Sequence, residues 1–341
     1  MINECEIPNV KCISTCDTFS ILRGDACFLP ISKARMLEFM GVVKIIDKVA
    51  SKKRAIADND YLYRYAFSSR RLTRVAWVQN YNMIGGAEIS NFEAVKVGQS
   101  LGFDVVGIIT DSSPTLSIMD HADVIVVNNL HSANREKVFD YLLNTKIPWI
   151  KYDHDCKETD SRFFTESTKN IFISPMHKKN YIEKFGKSFD SKSVCLPLAF
   201  NTDKWPLQID GRIKDSVFVP SYTKSRDNLM DYIMKNPDKK YYISGNTRPI
   251  GNSFQLGEIS PDKMAEQYQR YETVFHQPEY PCAGERILFE AILSGCQVVC
   301  NRNCGHASWQ WDWRDERVLR PVLNRAIYQL WHEIEEVANG N

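Results

Sequence analysis

The sequence predicts an α/β protein with two domains built on parallel β-sheets and a small additional unit at the N-terminus. The chain has 341 residues, which is the length of about two domains of roughly 150 residues each. From Arg74 onward, short apolar segments of strand length alternate with segments of helical pattern, and this alternation is typical of parallel sheets covered by helices. The alternation stops once, near residues 196–206, and then resumes, so we predict a linker there.

The predicted elements form one set on each side of this linker. The first set has strands at 75–78, 103–109, 122–127, 148–153 and 170–174, with helices at 87–101, 136–143 and 177–185. The second set has strands at 217–219, 239–245, 272–276 and 296–300, with helices from about 227, at 261–271 and at 286–293. A final helix at 315–336 has its apolar residues near one face.

The N-terminal unit has the pattern of a β-hairpin, a helix and a closing strand. Residues 19–30 contain two apolar runs around a turn at Gly24 and Asp25, which is typical of a hairpin. Ser32 is the expected N-cap of a short helix that ends at Gly41, and residues 42–46 predict a strand. The predicted divisions of the chain are therefore 1–50, 51–205, 206–314 and 315–341.

Charge is balanced over the whole chain but concentrated in one segment. The formal net charge is +1, which excludes a uniformly basic coat protein for nucleic acid. Residues 44–75 nevertheless hold nine Lys and Arg against three Asp, interleaved with tyrosines. Basic and aromatic side chains together suit a phosphate backbone with exposed bases, and the alternative is a solvated helix face. The candidate contacts to such an acceptor are Lys52, Lys53, Arg54, Arg70, Arg71 and Arg74.

The composition also bears on location and metal binding. No apolar run approaches the roughly 18 residues of a membrane-spanning helix, and residues 1–11 lack the pattern of a signal peptide. The ten cysteines are dispersed, which favours reduced thiols in a cytoplasmic protein. Cys296, Cys300 and Cys304 recur at every fourth position, but a strand is predicted through the first two, so we predict no metal site.

Two pairs of residues precede predicted helices and suit the binding of an anion. Gly85 and Gly86 follow the first strand, where glycines let backbone N–H groups approach a phosphate at a helix N-terminus. Lys224 and Arg226 follow the strand at 217–219, and two cations at this point suit a diphosphate. The alternatives are an ordinary tight turn and a solvated surface pair.

Two further groups suit hydrogen bonds to a sugar. His154, followed by Asp155, lies at the end of a strand, where an imidazole can donate to a hydroxyl or transfer a proton. Gly284 precedes a helix that carries Glu290, and a carboxylate one turn into that helix can accept two hydrogen bonds from a ribose diol. A structural histidine and a surface glutamate are the alternatives.

Together these segments resemble the retaining, nucleotide-sugar-dependent glycosyltransferases of the GT-B fold, the large family 4 group, over roughly residues 74–338. The matching segments are Gly85-Gly86-Ala87-Glu88, His154-Asp155, Lys224, Gly257-Glu258-Ile259 and the stretch from Gly284 to Cys296. The resemblance implies two Rossmann-like domains with a cleft between them and a last helix that crosses back onto the first. It also implies a nucleoside diphosphate sugar, uridine-based, as donor, with no required metal or other cofactor.

The resemblance also implies roles for individual residues. Glu290 would hold the ribose, and the backbone amides of Gly284 and Glu285 would hold the diphosphate together with Lys224. His154 would contact the transferred sugar. The resulting catalytic candidates are His154, Glu285 and Cys282. The substrate-binding candidates are Gly85, Gly86, Glu88, Asp155, Lys224, Arg226, Glu258, Gly284, Arg286 and Glu290.

The chain departs from the family pattern at two points. The family signature has two glutamates eight residues apart, whereas Cys282 stands eight residues before Glu290. Glu279 or Glu285 is expected to substitute for the missing glutamate. An arginine that usually precedes the lysine is absent, and Arg226 is expected to replace it. These departures concern the contacts to the transferred sugar more than the fold.

The resemblance implies transfer of a sugar from a nucleotide-sugar to a hydroxyl group. The whole arrangement resembles glycosyltransferases encoded by phages, so the basic segment favours duplex DNA with hydroxymethylated bases as acceptor, in the cytoplasm of the host cell. A glycan, lipid or protein acceptor stays open. A non-catalytic module that binds nucleotide or DNA and a sugar-nucleotide epimerase are the other functions that the sequence leaves open.

Overall fold

The computed structural model describes residues 72–80, 85–110, 116–245 and 250–340, and the backbone of three strands before them. The predicted helix after Ser32 and the candidate contacts Lys52, Lys53, Arg54, Arg70 and Arg71 lie outside the described residues. The chain divides into two compact units, and the second comprises residues 152–165 and 169–332. The boundaries predicted at 50, 205 and 314 stay predictions.

Three short strands near the N-terminus form an antiparallel sheet. They are β1 (Asn9–Ser14), β2 (Ala26–Pro30) and β3 (Val43–Ile45). The strand β1 lies in the centre of this sheet and pairs with both others. The strand β3 falls within the predicted closing strand. The strand β2 pairs with β1, and the sequence pattern predicted neither β1 nor this pairing.

The first parallel sheet contains six strands. In chain order, its strands and the associated helices are β4 (Arg74–Gln79), α1 (Gly86–Ser100), β5 (Asp104–Ile109), β6 (Val124–Val127), α2 (Arg135–Asn144), β7 (Trp149–Asp153), α3 (Arg162–Thr165), β8 (Lys169–Phe172), α4 (Pro175–Phe185) and β9 (Ser193–Cys195). The strand order is β5-β4-β6-β7-β8-β9. Every residue of β6 and β7 is buried, as is typical of strands covered on both faces.

The second parallel sheet contains five strands. Its elements are β10 (Ile213–Val219), α5 (Arg226–Lys235), β11 (Lys240–Ser244), β12 (Phe254–Gly257), α6 (Met264–Arg270), β13 (Tyr271–His276), α7 (Arg286–Leu293), β14 (Gln297–Cys300) and α8 (Glu316–Ala338). The strand order is β12-β11-β10-β13-β14. The edge strand β12 was not predicted, because it has only four residues, none of them fully buried. The predicted helix at 261–271 begins as a 3₁₀ turn, Pro261–Lys263, before α6.

Alternate residues of the two central strands pack into two separate apolar clusters. Val217 and Val219 of β10 pack with Leu229 of α5 and with Phe275 of β13. Phe218 of β10 belongs to the other cluster, which includes most of α7. This alternation is the two-residue period of a strand with both faces covered. Residues that follow the ends of β10 and β13 belong to the candidate site.

The last helix, α8, is amphipathic over its 23 residues. Leu319 and Leu323 are fully buried in the cluster that contains α7. Throughout the described ranges, α8 included, no helix combines the length and the apolar character that crossing a membrane requires.

Leu229 and Met234 lie on the same helix, α5, and provide a matched test of this packing. Leu229 is fully buried, whereas 69% of Met234 is exposed. Truncating a buried leucine to alanine costs about 2–5 kcal/mol, whereas a surface change costs about 0.5 kcal/mol or less. We expect Leu229→Ala to lower the urea midpoint of unfolding strongly and Met234→Ala to leave it nearly unchanged. Equal effects of the two variants would contradict the described core.

Candidate functional site

A cavity of about 310 Å³ lies where three strands of the five-stranded sheet end. It is lined by residues 220–223 after β10, by Ser244 and Gly245 at the end of β11, and by Glu258 and Ile259 after β12. Gly245 donates a backbone hydrogen bond of 2.7 Å to the carbonyl of Gly257 and has a φ of 101°, a value that favours glycine. The position at the carboxyl ends of parallel strands is where ligands of α/β folds bind.

An ion pair lies directly after the segment that lines this cavity. Lys224 follows Thr223, and its Nζ lies 2.7 Å from Oε1 of Glu285. Glu285 is the N-cap residue of α7, so the pair joins the turn after β10 to the start of that helix. The backbone N–H of Glu279 also donates to the carbonyl of Lys224, at 3.0 Å. The ammonium group of Lys224 is thus held at the N-terminus of α7, and this arrangement suits the binding of an anion.

The two members of this pair stabilise each other's charged forms. Burial raises the pKa of Glu285, but Lys224 and, to a smaller extent, His276 and Cys282 outweigh it, and the net pKa is lowered. Burial lowers the pKa of Lys224, but the Glu285 carboxylate outweighs this as well, and its net pKa is raised. Both groups are therefore charged at neutral pH.

The loop from Cys282 to Glu285 packs against residues 304–306. The two segments are so close that Gly284 and Gly305 have no room for a side chain. A Cβ on Gly305 would lie 1.8 Å from the carbonyl oxygen of Ala283, and a Cβ on Gly284 would lie 2.4 Å from the ring of His306. Cys282 and Cys304 form an isolated parallel bridge, with hydrogen bonds of 2.9 Å and 2.8 Å on either side. The two glycines are therefore required by this close approach.

Ser174 fixes the same loop from the other side. Its hydroxyl donates to the carbonyl of Ala283 and accepts a hydrogen bond of 3.2 Å from the backbone of His177, which makes it the N-cap of α4. In addition, the backbone N–H of Met176 donates to the hydroxyl of Ser308, at 2.9 Å. One side chain thus caps a helix and holds the loop that carries Glu285.

Two buried, uncharged histidines flank this loop. His306 stacks on Phe289 with a ring separation of 3.9 Å, and burial lowers its pKa to about 3. His276 ends β13, and burial lowers its pKa to about 4. Among the residues that the structure describes, neither ring nitrogen of either histidine has a hydrogen-bond partner. Neither histidine was predicted as a site residue, because an isolated histidine in an apolar context carries no signal of its own.

Cys282, a catalytic candidate, is a buried neutral thiol. Burial and the neighbouring Glu285 raise its pKa to about 12, and the thiol donates a hydrogen bond of 3.6 Å to the carbonyl of Tyr280. At neutral pH it carries no charge and is a poor nucleophile, because the thiolate is the reactive form. At the position where the resemblance leads one to expect a glutamate, this chain thus has a neutral thiol.

Glu290 and Arg286 form a second buried pair, one turn apart on α7. Nε of Arg286 lies 3.0 Å from Oε1 of Glu290. The same guanidinium donates to the carbonyl of Ala199 at 3.4 Å and lies 4.1 Å from the ring centre of Phe200. Both side chains are less than one-tenth exposed overall. The proposed contact of Glu290 with a ribose stays a prediction.

His154 lies directly after β7 and is also buried. Its ring contacts Tyr152 edge-on, with centres 4.3 Å apart. The preceding Asp153 accepts a hydrogen bond of 3.1 Å from His177 when that ring nitrogen is protonated. The carboxylate of Asp155 accepts a hydrogen bond of 2.9 Å from the backbone of Lys157. His177 is thus a further buried polar residue at this strand end that the sequence analysis did not identify.

The remaining candidates lie elsewhere. Gly85 is the N-cap of α1, Gly86 begins this helix, and the Gly85 backbone donates to the carboxylate of Glu88 at 3.1 Å. Arg74 forms an ion pair of 3.2 Å with Asp123. Arg226 begins α5 and is exposed. Within the described ranges, no group of three or more His, Cys, Asp or Glu is arranged to hold a metal ion.

Comparison with known proteins identifies the class of fold. Neither a protein-family model nor a curated protein sequence matches the chain. Solved structures that match include HepE from Anabaena in complex with UDP-glucose, at 13% identity and a TM-score of 0.52, covering 78% of this chain and 92% of HepE. Sucrose-phosphate synthase from Thermosynechococcus elongatus matches at 11% identity and a TM-score of 0.57, covering 78% and 92%.

A third match is an α-glucosyltransferase solved with UDP and a 13-mer DNA containing an HMU base. It has 12% identity and a TM-score of 0.51, and the match covers 79% of this chain and 94% of that one. These structures are GT-B glycosyltransferases. The chain therefore has the GT-B fold, and the fold class predicted from the sequence is confirmed.

The two buried histidines predict how stability depends on pH. Their pKa values in the folded protein, about 3 and about 4, lie below the ordinary value of 6.5. Between pH 6.5 and about 4 the unfolded chain therefore binds protons that the folded chain does not, and stability falls as pH falls. We expect a loss on the order of 2 kcal/mol per histidine between pH 7 and pH 5, measured by urea unfolding.

A variant of His306 separates this effect from other acid effects. His306→Asn should reduce the loss of stability between pH 7 and pH 5, even if its stability at pH 7 is lower. His121→Asn is the matched control, because His121 is exposed on a 3₁₀ turn, and it should retain the wild-type dependence. A His306→Asn variant with the wild-type dependence would contradict a buried, neutral imidazole.

Proposed function

We propose that the protein transfers a sugar from a nucleoside diphosphate donor to a hydroxyl group of an acceptor. The observation that carries this proposal is the cavity at the ends of β10, β11 and β12, with the cation of Lys224 directly beyond its lining segment. The cavity volume, about 310 Å³, is at the lower end of the range for small-molecule sites. The GT-B fold supports the same class of reaction.

The donor would occupy the cavity and the ion pair together. The nucleoside would lie between the residues after β10 and Glu258 after β12, and the diphosphate would lie against Lys224 and the N-terminus of α7. Glu290 is the proposed ribose contact, and His154 the proposed contact to the transferred sugar. The binding of UDP or UDP-glucose by HepE supports uridine as the base.

The chemistry requires one bond exchange at the anomeric carbon of the donor sugar. The bond from this carbon to the diphosphate oxygen breaks, and a bond to the acceptor oxygen forms. In the proposed retaining reaction, the departing diphosphate takes the proton of the acceptor hydroxyl. The protein would position the reactants and stabilise the charge of the leaving group through Lys224.

Glu285 introduces a competition at this site. Its carboxylate is already paired with the ammonium group of Lys224, which a diphosphate would also bind. A diphosphate must therefore displace this carboxylate or share Lys224 with it, and two anions close together repel each other. Glu285 is thus expected to weaken the binding of the diphosphate without affecting the nucleoside.

The proposed acceptor is duplex DNA with hydroxymethylated bases. The basic segment at 44–75 supports it, as does the α-glucosyltransferase solved with DNA. A glycan, lipid or protein acceptor is the alternative, in which case the basic segment is a solvated surface.

The competition at Lys224 predicts how the two charges affect donor binding. Glu285→Gln should bind UDP on the order of tenfold more tightly than the wild type, with uridine unchanged, because the carboxylate no longer competes. In the Glu285→Gln background, Lys224→Met should remove the advantage of UDP over uridine. In this background Lys224 is replaced without leaving the buried carboxylate of Glu285 unpaired, because that carboxylate is already an amide. Calorimetric titration of the three proteins with UDP and with uridine measures all six affinities.

Lys263→Met is the matched control for Lys224→Met. Lys263 is exposed on the turn before α6, so its loss should not change UDP binding. Incubation with UDP-sugars and an assay for released UDP then tests for transfer or donor hydrolysis. If no nucleotide raises the melting temperature and no diphosphate is released from any donor, the proposed function is wrong.

The acceptor proposal predicts binding to DNA that weakens with salt. Each lysine or arginine that contacts a phosphate adds about 0.9 to the slope of log affinity against log salt. Replacing Lys52, Lys53 and Arg54 with serine should weaken binding to duplex DNA and lower this slope. The control replaces Lys214, Lys235 and Lys240, which are exposed on the second unit, with serine. Equal effects of both triple variants, or no binding at low salt, would contradict DNA as acceptor.

A further inference from the structure

Two cysteines near the end of β14 form a pair that the proposed sugar transfer does not use. Cys300 is the last residue of β14 and is partly exposed, whereas Cys304 is buried. The backbone N–H of Cys304 donates to the carbonyl of Asn301 at 3.2 Å, so the chain turns back within four residues. The thiol of Cys304 lies 3.4 Å from the carbonyl of His276, the residue that pairs with Cys300 between β13 and β14, so the two cysteines are close neighbours.

The surroundings of Cys300 stabilise a negative charge on its sulfur. The guanidinium of Arg314 donates a hydrogen bond to this sulfur, with Nη2 at 3.4 Å. The neighbouring Cys304 thiol and the charge of Arg314 together outweigh burial, and they lower the pKa of Cys300. Cys304 keeps its proton, because the neighbouring Cys300 and its own burial both raise its pKa.

Three other described cysteines have the opposite character. Burial raises the pKa to about 11 for Cys195 and to about 12 for Cys156 and Cys282. Cys195 is partly exposed, as Cys300 is, so exposure alone does not distinguish them. The difference is the arginine and the neighbouring thiol, both of which point to a reactive cysteine with a second cysteine beside it.

We propose that Cys300 and Cys304 form a site of reversible thiol oxidation, at which Cys300 reacts with a hydroperoxide and Cys304 resolves the product as a disulfide. The Cys300 thiolate attacks the peroxide, so that an S–O bond forms, the O–O bond breaks and the leaving oxygen departs as water or an alcohol. Cys304 then loses its proton and attacks the sulfenic sulfur, so that the S–S bond forms and water leaves. Two thiols are oxidised by two electrons, and the peroxide is reduced.

The site is connected to the loop that carries Glu285. Asn303 accepts a hydrogen bond from the backbone of Cys282, and Gly305 donates one to it. The thiol of Cys304 also donates to the carbonyl of His276, at 3.4 Å, and a disulfide would remove this bond. The proposal itself does not depend on the proposed sugar transfer, because it concerns the thiol chemistry alone.

Site-resolved alkylation of the full-length reduced protein tests the reactivity of Cys300. The lowered pKa of Cys300, offset in part by the lower nucleophilicity of its thiolate, predicts alkylation by iodoacetamide on the order of 100-fold faster at Cys300 than at Cys195. Mass spectrometry of the peptides measures both rates. Arg314→Gln should move the midpoint of the Cys300 reaction to higher pH. A Cys300 rate no greater than that of Cys195 would overturn the proposal.

Treatment with hydrogen peroxide tests the second step. Peptide mapping should find a disulfide between Cys300 and Cys304 that dithiothreitol reverses. Cys304→Ser should abolish it and leave a sulfenic acid on Cys300 that a cyclic diketone traps, whereas Cys195→Ser should change neither result. A disulfide between Cys282 and Cys304 in its place, or none that includes Cys300, would overturn the proposal. Circular dichroism of each variant establishes that the fold is retained.

Discussion

The candidate site depends on the close approach of two backbone segments, the loop before α7 and the turn after β14. Ala283 and Gly305 are in direct backbone contact, which a side chain at position 305 would prevent. The hydroxyl of Ser174 and the bridge between Cys282 and Cys304 hold the same contact. Because this packing fixes the loop, Glu285 is presented to Lys224 at the start of the helix.

The same packing explains the electrostatic character of the site. The residues around the loop are buried but uncharged at neutral pH: two histidines with lowered pKa values and a cysteine with a raised one. These neutral residues leave two ion pairs as the local charges, Lys224 with Glu285 and Arg286 with Glu290. In a medium less polarisable than water, such a pair interacts more strongly than at an open surface. Of the two cations, Lys224 is the one that follows the segment lining the cavity, so it is the one that a ligand anion there would meet.

Much of the fold could be predicted from the sequence, because buried parallel strands are continuous apolar runs and α7 has a strong helical pattern. The edge strand β12 could not, since a short, half-exposed strand has no such run. Lys224 was identified from its position, but its pairing with Glu285, 61 residues away, depends on how β10 and β13 lie in the sheet. His276 and His306 were missed because their environment arises only from tertiary packing.

The hydrogen bond between Ser174 and Ala283 joins residues that are 109 positions apart. A contact of such long sequence separation must wait until both partners have been synthesised. At about 5–20 residues per second, the helix capped by Ser174 leaves the ribosome several seconds before its partner loop. During this interval the nascent chain contains α4 without the segment that covers its N-terminus. The contact between Ser174 and Ala283, and with it the candidate site, therefore forms late in the synthesis of each molecule.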